Sequence, residues 1–110
     1  MSVIELDEAE ASAEADLVGP VIRSGDLAEA VIDAVAKDNP DQDVIVVDRD
    51  DYIRIHTRGS CRLTLASLEE ALGRPYQLEA LEIDMPSFKG RLKTRTNEFT
   101  WFLQGSMAEA

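Results

Sequence analysis

Side chains able to do chemistry are thinly spread in this 110-residue chain, which holds one cysteine, Cys61, and one histidine, His56. That pair cannot assemble a multi-thiolate metal centre or hold an iron–sulfur cluster, so an electron-carrier role is excluded. Cys61 alternates with Leu63 and Leu65, the spacing of a small thiol turned toward a core. His56 lies in the alternating run 52–57 (YIRIHT), sharing a face with Tyr52 and Arg54 opposite Ile53 and Ile55, and is expected to be a solvated sheet-face histidine. Gly59-Ser60-Cys61 lacks the flanking glycines of a nucleophile elbow, and no GxGxxG or Walker pattern occurs. Asp48, Asp50 and Asp51 sit in a turn without the central Gly and terminal Glu of an EF-hand loop. No catalytic, cofactor-binding or metal-ligating residue is assigned, and the expectation is a chain that is not an enzyme and carries no cofactor.

Two other features stand out. Lys89, Arg91, Lys93 and Arg95 occupy alternate positions, so an extended backbone projects all four from one face as a cationic ridge. Such a ridge protects an edge strand from mispairing, or it meets an acidic protein surface and steers association. Immediately before it, Met85-Pro86-Ser87-Phe88 puts a thioether and an aromatic ring on an irregular segment. They are either core residues or an anchor of the kind that dominates protein interfaces.

The elements that must position these groups fit one domain. With 45% hydrophobic and 30% charged residues the chain can bury a core. Its net charge is −11, and the imbalance is local: residues 1–51 carry 15 acids against 3 bases, residues 52–110 carry 7 against 8. Anionic membranes and nucleic acid are therefore poor partners, and self-repulsion favours a monomer. A lone cysteine fits a reducing compartment, and neither a signal-peptide pattern nor a membrane-length apolar run is present, so a cytoplasmic location is expected.

Residues 1–16 hold six acids and no base, and blocks of like charge resist ordering, so a mobile tail is expected there. Residues 17–23 (LVGPVIR) read as a strand, with Pro20 placing it at an edge or a start. Over residues 27–37, Leu27, Val31, Ala34 and Val35 recur at helical spacing, and Asn39-Pro40 ends that helix. Strands follow at 44–47, 52–57 and 61–65. Ser67 and Glu70 fit a capping box, with Gly73 closing the helix. Residues 76–81 form a further helical turn or two, and 82–90 are irregular or partly extended. Residues 92–95 and 99–103 make a closing hairpin. The ordered domain is expected over 17–104, with a frayed end at 105–110. About three helices among strands that do not alternate regularly indicate an α+β fold on a mostly antiparallel sheet.

Five blocks, in order, resemble one family: Val18-Gly19-Pro20-Val21-Ile22-Arg23 with Gly25-Asp26; Val47-Asp48-Arg49 with Tyr52 and Arg54-Ile55; Leu68-Glu69-Glu70 with Leu72-Gly73-Arg74-Pro75; Leu81-Glu82-Ile83; and Ser87-Phe88 with Gly90. They resemble the effector, or coupling, proteins of soluble bacterial multicomponent di-iron monooxygenases, and the wording is most similar to the toluene, aromatic and alkene systems. The resemblance spans about residues 18–104. It implies two small βαββ-like halves in one compact domain, no bound metal or prosthetic group, and binding to the di-iron hydroxylase oligomer, alongside a reductase and a Rieske-type ferredoxin. It further implies that the effector reshapes the hydroxylase site, speeding oxygen activation and coupling NADH use to hydroxylation or epoxidation. By position, Met85-Pro86-Ser87-Phe88-Lys89-Gly90 resembles the loop that in longer relatives approaches the active-site entrance, and this loop, with Arg91 and nearby helix residues, is the expected docking face for the hydroxylase. A small α+β ligand- or partner-binding regulatory module unrelated to monooxygenases is the competing reading.

Overall fold

The computed structural model describes residues 2–103. Its elements run β1 (Val3–Glu5), α1 (Glu8–Ser12), β2 (Leu17–Arg23), α2 (Asp26–Asp38), β3 (Val44–Asp48), β4 (Tyr52–Arg58), β5 (Ser60–Thr64), α3 (Leu65–Leu72), a 3-10 turn at Leu78–Ala80, α4 (Leu81–Asp84), β6 (Ser87–Lys89), β7 (Arg91–Thr94) and β8 (Glu98–Phe102). A five-stranded sheet has the order β1-β3-β4-β2-β6 and a three-stranded sheet the order β5-β8-β7. Every pairing is antiparallel except that of β1 with β3. The fold is α+β, and β2-α2-β3-β4 and β5-α3-β7-β8 repeat one βαββ order.

The main core lies where α2 meets both sheets. Ala28, Val31, Ala34 and Val35 form the buried stripe of α2, meeting Val18 and Ile22 of β2, Val44 and Val46 of β3, Ile53 and Ile55 of β4, and Cys61, Leu63, Phe99 and Trp101 of the smaller sheet. The alanines keep this stripe shallow, so the helix can lie close to the sheets.

Two consecutive residues at the end of α2 fasten the halves together. The Asp38 carboxylate accepts bonds from the Thr64 N–H (2.7 Å), the Thr64 hydroxyl and the Ser67 hydroxyl (2.6 Å). The Asn39 side chain accepts from the Arg62 N–H and donates to the Arg62 carbonyl. This clasp moves the start of α3. Thr64, not Ser67, is the N-cap, and its hydroxyl accepts from the Ser67 N–H. The expected Ser67/Glu70 capping box is not formed, because Asp38 draws the Ser67 hydroxyl away and Glu70 pairs with Lys37 of α2.

Residues 2–16, expected as a mobile tail, hold a short strand and a helix in the structure. β1 pairs in parallel with β3, placing Val3 against Val44 and Ile4 against Ile45. The Asp7 carboxylate accepts the Glu10 N–H while the Glu10 carboxylate accepts the Asp7 N–H, a complete capping box for α1. The acids also find counter-charges on the β3–β4 hairpin: Glu8 meets Arg49 (2.8 Å) and Arg54 (3.0 Å), and Glu14 meets Arg58 (2.6 Å). Leu6 and Ala11 pack on Leu17, Ile45 and Val47 in a second, smaller core. A block of like charge need not repel itself into solvent when some of its acids meet arginines and others cap a helix. Residues 105–110 lie outside those described.

That second core changes the place of His56. It stands opposite Ile45 on the face that α1 covers, and it is 2% exposed, not solvated as expected. Pro20 also departs from expectation: β2 is an interior strand, flanked by β4 and β6. Pairing with β4 skips Gly19 and Pro20, running from Val18 opposite Thr57 directly to Val21 opposite Arg54, so no ladder donor is required of the proline.

Candidate functional site

The segment 85–91 leaves the core and crosses from one sheet to the other. Met85 is its root, buried in the main core with Leu78 and Leu81. Pro86 and Ser87 are exposed. Within β6, Ser87, Phe88 and Lys89 pair with Val21, Pro20 and Gly19 of β2, leaving the outer edge of this short strand open. Phe88 is 42% exposed, too open for a core residue.

Gly90 makes the crossing. Its φ of +95° is left-handed, and a Cβ there would lie 2.7 Å from Val18 Cγ1 and 2.8 Å from the Phe102 carbonyl oxygen. Only glycine lets the chain pass this close and turn into β7. The turn also divides the expected cationic ridge. Lys89 belongs to the five-stranded sheet, Arg91 and Lys93 to the outer edge of the three-stranded one, and Arg95 to the turn before β8. On β7 the alternation holds, with Leu92 packed against the core while Arg91 and Lys93 face out. None of Lys89, Arg91 and Lys93 has an ion-pair partner among the described residues.

Ile83 of α4 lies outside the docking segment 85–91 expected from the sequence. It is 76% exposed, the most open large hydrophobic side chain among the described residues. The signal was present: Leu81 and Met85, four apart, take the buried side of the turn, which puts Ile83 on the other. Ile83 and Phe88 thus stand exposed on either side of the buried Met85, followed by cations without carboxylate partners.

The two residues with reactive side chains, Cys61 and His56, are buried. Burial pushes the Cys61 thiol up to about 12, so it stays protonated. Burial first, then the charges of Arg54 and Lys89, hold the His56 imidazole down at about 4, and it is neutral at neutral pH. No helix among the described residues is long and apolar enough to cross a membrane.

Residues 16–102 match the MmoB/DmpM family, and the chain belongs to it. It is 59% identical over 87 residues to the effector subunit of an alkene monooxygenase system from Xanthobacter autotrophicus strain Py2, a match covering 79% of this chain and 86% of that one. Among solved structures it is similar to a chain of a phenol hydroxylase–regulatory protein complex, with a TM-score of 0.67 and 26% identity, covering 78% of this chain and 97% of that chain. The regulatory protein B of soluble methane monooxygenase is similar with a TM-score of 0.61 and 26% identity, over 87% of this chain and 71% of its own.

Proposed function

We propose that this chain is the cofactorless effector of a soluble di-iron monooxygenase acting on alkenes or aromatic hydrocarbons, and that it docks on the hydroxylase oligomer through α4, β6 and the start of β7. The observation that carries this reading is the 59% identity to an alkene monooxygenase effector subunit, extending over most of both chains. The similarity to a chain from a phenol hydroxylase–regulatory protein complex supports the same partner class.

On that reading Ile83 and Phe88 are the apolar anchors, and Pro86, Ser87, Lys89, Gly90 and Arg91 complete the face. Met85 holds it to the core. An exposed aromatic beside an exposed aliphatic is what an interface hot spot requires, and unpaired cations around it orient the encounter with an acidic surface. An effector changes the hydroxylase only if it binds the active conformation more tightly than the resting one. The free energy that speeds oxygen activation is therefore the difference between two docking energies. The system includes a reductase and a Rieske-type ferredoxin, and the effector is a cytoplasmic monomer when free.

The test is a titration of this protein into the hydroxylase, reductase and ferredoxin encoded beside it, following NADH consumption and product together. Turnover and product per NADH should both rise and saturate near one effector per active site. Unchanged rate and coupling would instead support a regulatory module with another partner.

A further inference from the structure

We propose that the open edge of β1 is a second docking surface, and that it takes an extended segment of a partner protein in which basic and aliphatic residues alternate. β1 and β6 are the two end strands of the five-stranded sheet, so this edge lies at the opposite end of that sheet from the proposed hydroxylase-docking face. It does not depend on what that face binds.

The edge offers backbone hydrogen bonds. The Val44 N–H donates to the Ser2 carbonyl (2.7 Å) and the Leu6 N–H donates to the Val46 carbonyl (2.9 Å), so the even-numbered residues of this segment face β3. Backbone groups alternate sides along a strand, which turns the N–H and C=O of Val3 and Glu5 outward. An edge of this kind invites pairing unless charges guard it. On the smaller sheet they do, since Arg91 and Lys93 stand exposed on the end strand β7. On β1, Val3 is 52% and Ile4 36% exposed, and Glu5 is the single charge. That carboxylate repels an acidic strand and attracts a basic one.

Side chains set the class of partner. Val3 and Glu5 lie beside Val44 and Val46, on the face that α2 covers, and Ile4 lies beside Ile45 on the other. On the α2 side, next to Val3, is a groove of about 310 Å³ with Ile32, Val46 and Ile53 as its apolar wall and Glu5, Glu29 and Asp48 at its rim. None of these three acids has an ion-pair partner among the described residues. A lysine or arginine covers the apolar wall with its stem while its head reaches the carboxylates. The next residue of an added strand falls on the opposite face, beside Ile4, and is aliphatic for that reason. A second copy of this chain fits poorly, because residues 1–51 carry 15 acids against 3 bases and two such edges repel.

The test adds a short blocked peptide of alternating lysine and valine to the free protein. NMR signals of residues 3–6 and 29–32 should shift saturably, and amide exchange at Val3 and Glu5 should slow as their N–H groups gain acceptors. A peptide of alternating glutamate and valine should not bind saturably. Glu29→Lys should weaken binding of the lysine peptide about tenfold. Val3→Pro, which removes one outward donor and none that faces β3, should also weaken it about tenfold. Unmoved amide signals in β3 and β4 report an intact sheet, and Glu29→Lys, on α2, decides the matter should Val3→Pro loosen β1. Shifts that are absent or never saturate, no slowing at Val3 and Glu5, or unchanged affinity in Glu29→Lys would each overturn the proposal. Dimerisation of the free chain that Val3→Pro abolishes would overturn it too, making a second copy the occupant.

Discussion

The two βαββ halves share an order of elements and differ in what covers them. In β2-α2-β3-β4 both sheet faces are shielded, α2 lying over Val44 and Val46 and α1 over Ile45 and Val47. In β5-α3-β7-β8 only one face is shielded: Cys61, Leu63, Phe99 and Trp101 point inward, while Arg62, Arg91 and Lys93 point out. Acidic side chains fasten the cover on the first half, and cations line the open face of the second. The same unit is thus covered on both faces in one half and left open on one face in the other. The proposed docking segment lies at the seam, where β6 completes one sheet and β7 begins the other.

The largest effect is expected at that seam. Gly90→Val combines a strained left-handed backbone with a clash against Val18 and Phe102, and should lower unfolding free energy by about 3 kcal/mol in denaturant titrations. A loss below about 1 kcal/mol would mean that the crossing is not held where it is described.

The covered face predicts a pH dependence of similar size. His56 titrates near 4 in the folded chain and near 6.5 when unfolded, so between those values the unfolded chain binds more protons. Stability is then complete above about pH 6.5 and falls by about 3 kcal/mol as pH drops toward 4. Replacing His56 by Gln should flatten that segment of the curve. Removing residues 1–15 should raise the folded histidine pKa back toward 6.5, because α1 no longer desolvates it. An unchanged titration in the truncated chain would show that α1 is not the cover.

Asp38→Ala tests how the halves are joined. It strands the Thr64 N–H and two hydroxyls at the α2–α3 junction, and should remove about 2 kcal/mol. The smallest expected effect on stability is that of Phe88→Ala, within about 1 kcal/mol because the ring is already half open. Stimulation of hydroxylase turnover should fall sharply in the same variant. Unfolding on this substitution would make Phe88 a core residue and not an anchor.

Most of the fold was legible in the sequence wherever periodicity and punctuation agreed. Residues 17–23 form the expected strand, the spacing of Leu27, Val31, Ala34 and Val35 marks α2, and Gly73 closes α3. The failures share one cause, that a local pattern does not reveal its tertiary partner. Asp7 and Glu10 spell a capping box at the start of α1, yet the arginine partners of the neighbouring Glu8 and Glu14 lie some forty residues away. His56 reads as polar-face by alternation, and only the presence of α1 makes that face an interior. Ser67 reads as a cap until Asp38 arrives from another helix. Within the candidate site, the exposure of Phe88 and the crossing at Gly90 could not be read from residue types, whereas Ile83 could have been found from the spacing of Leu81 and Met85.

The most direct test of the account is hydrogen exchange of the effector, alone and saturated with the hydroxylase. Protection should appear over residues 81–94, where α4, β6 and β7 form the proposed docking face, and α1 should exchange at the same rate in both states. Protection confined to residues 2–16, with 81–94 unchanged, would contradict it and make the acidic cover the true docking element.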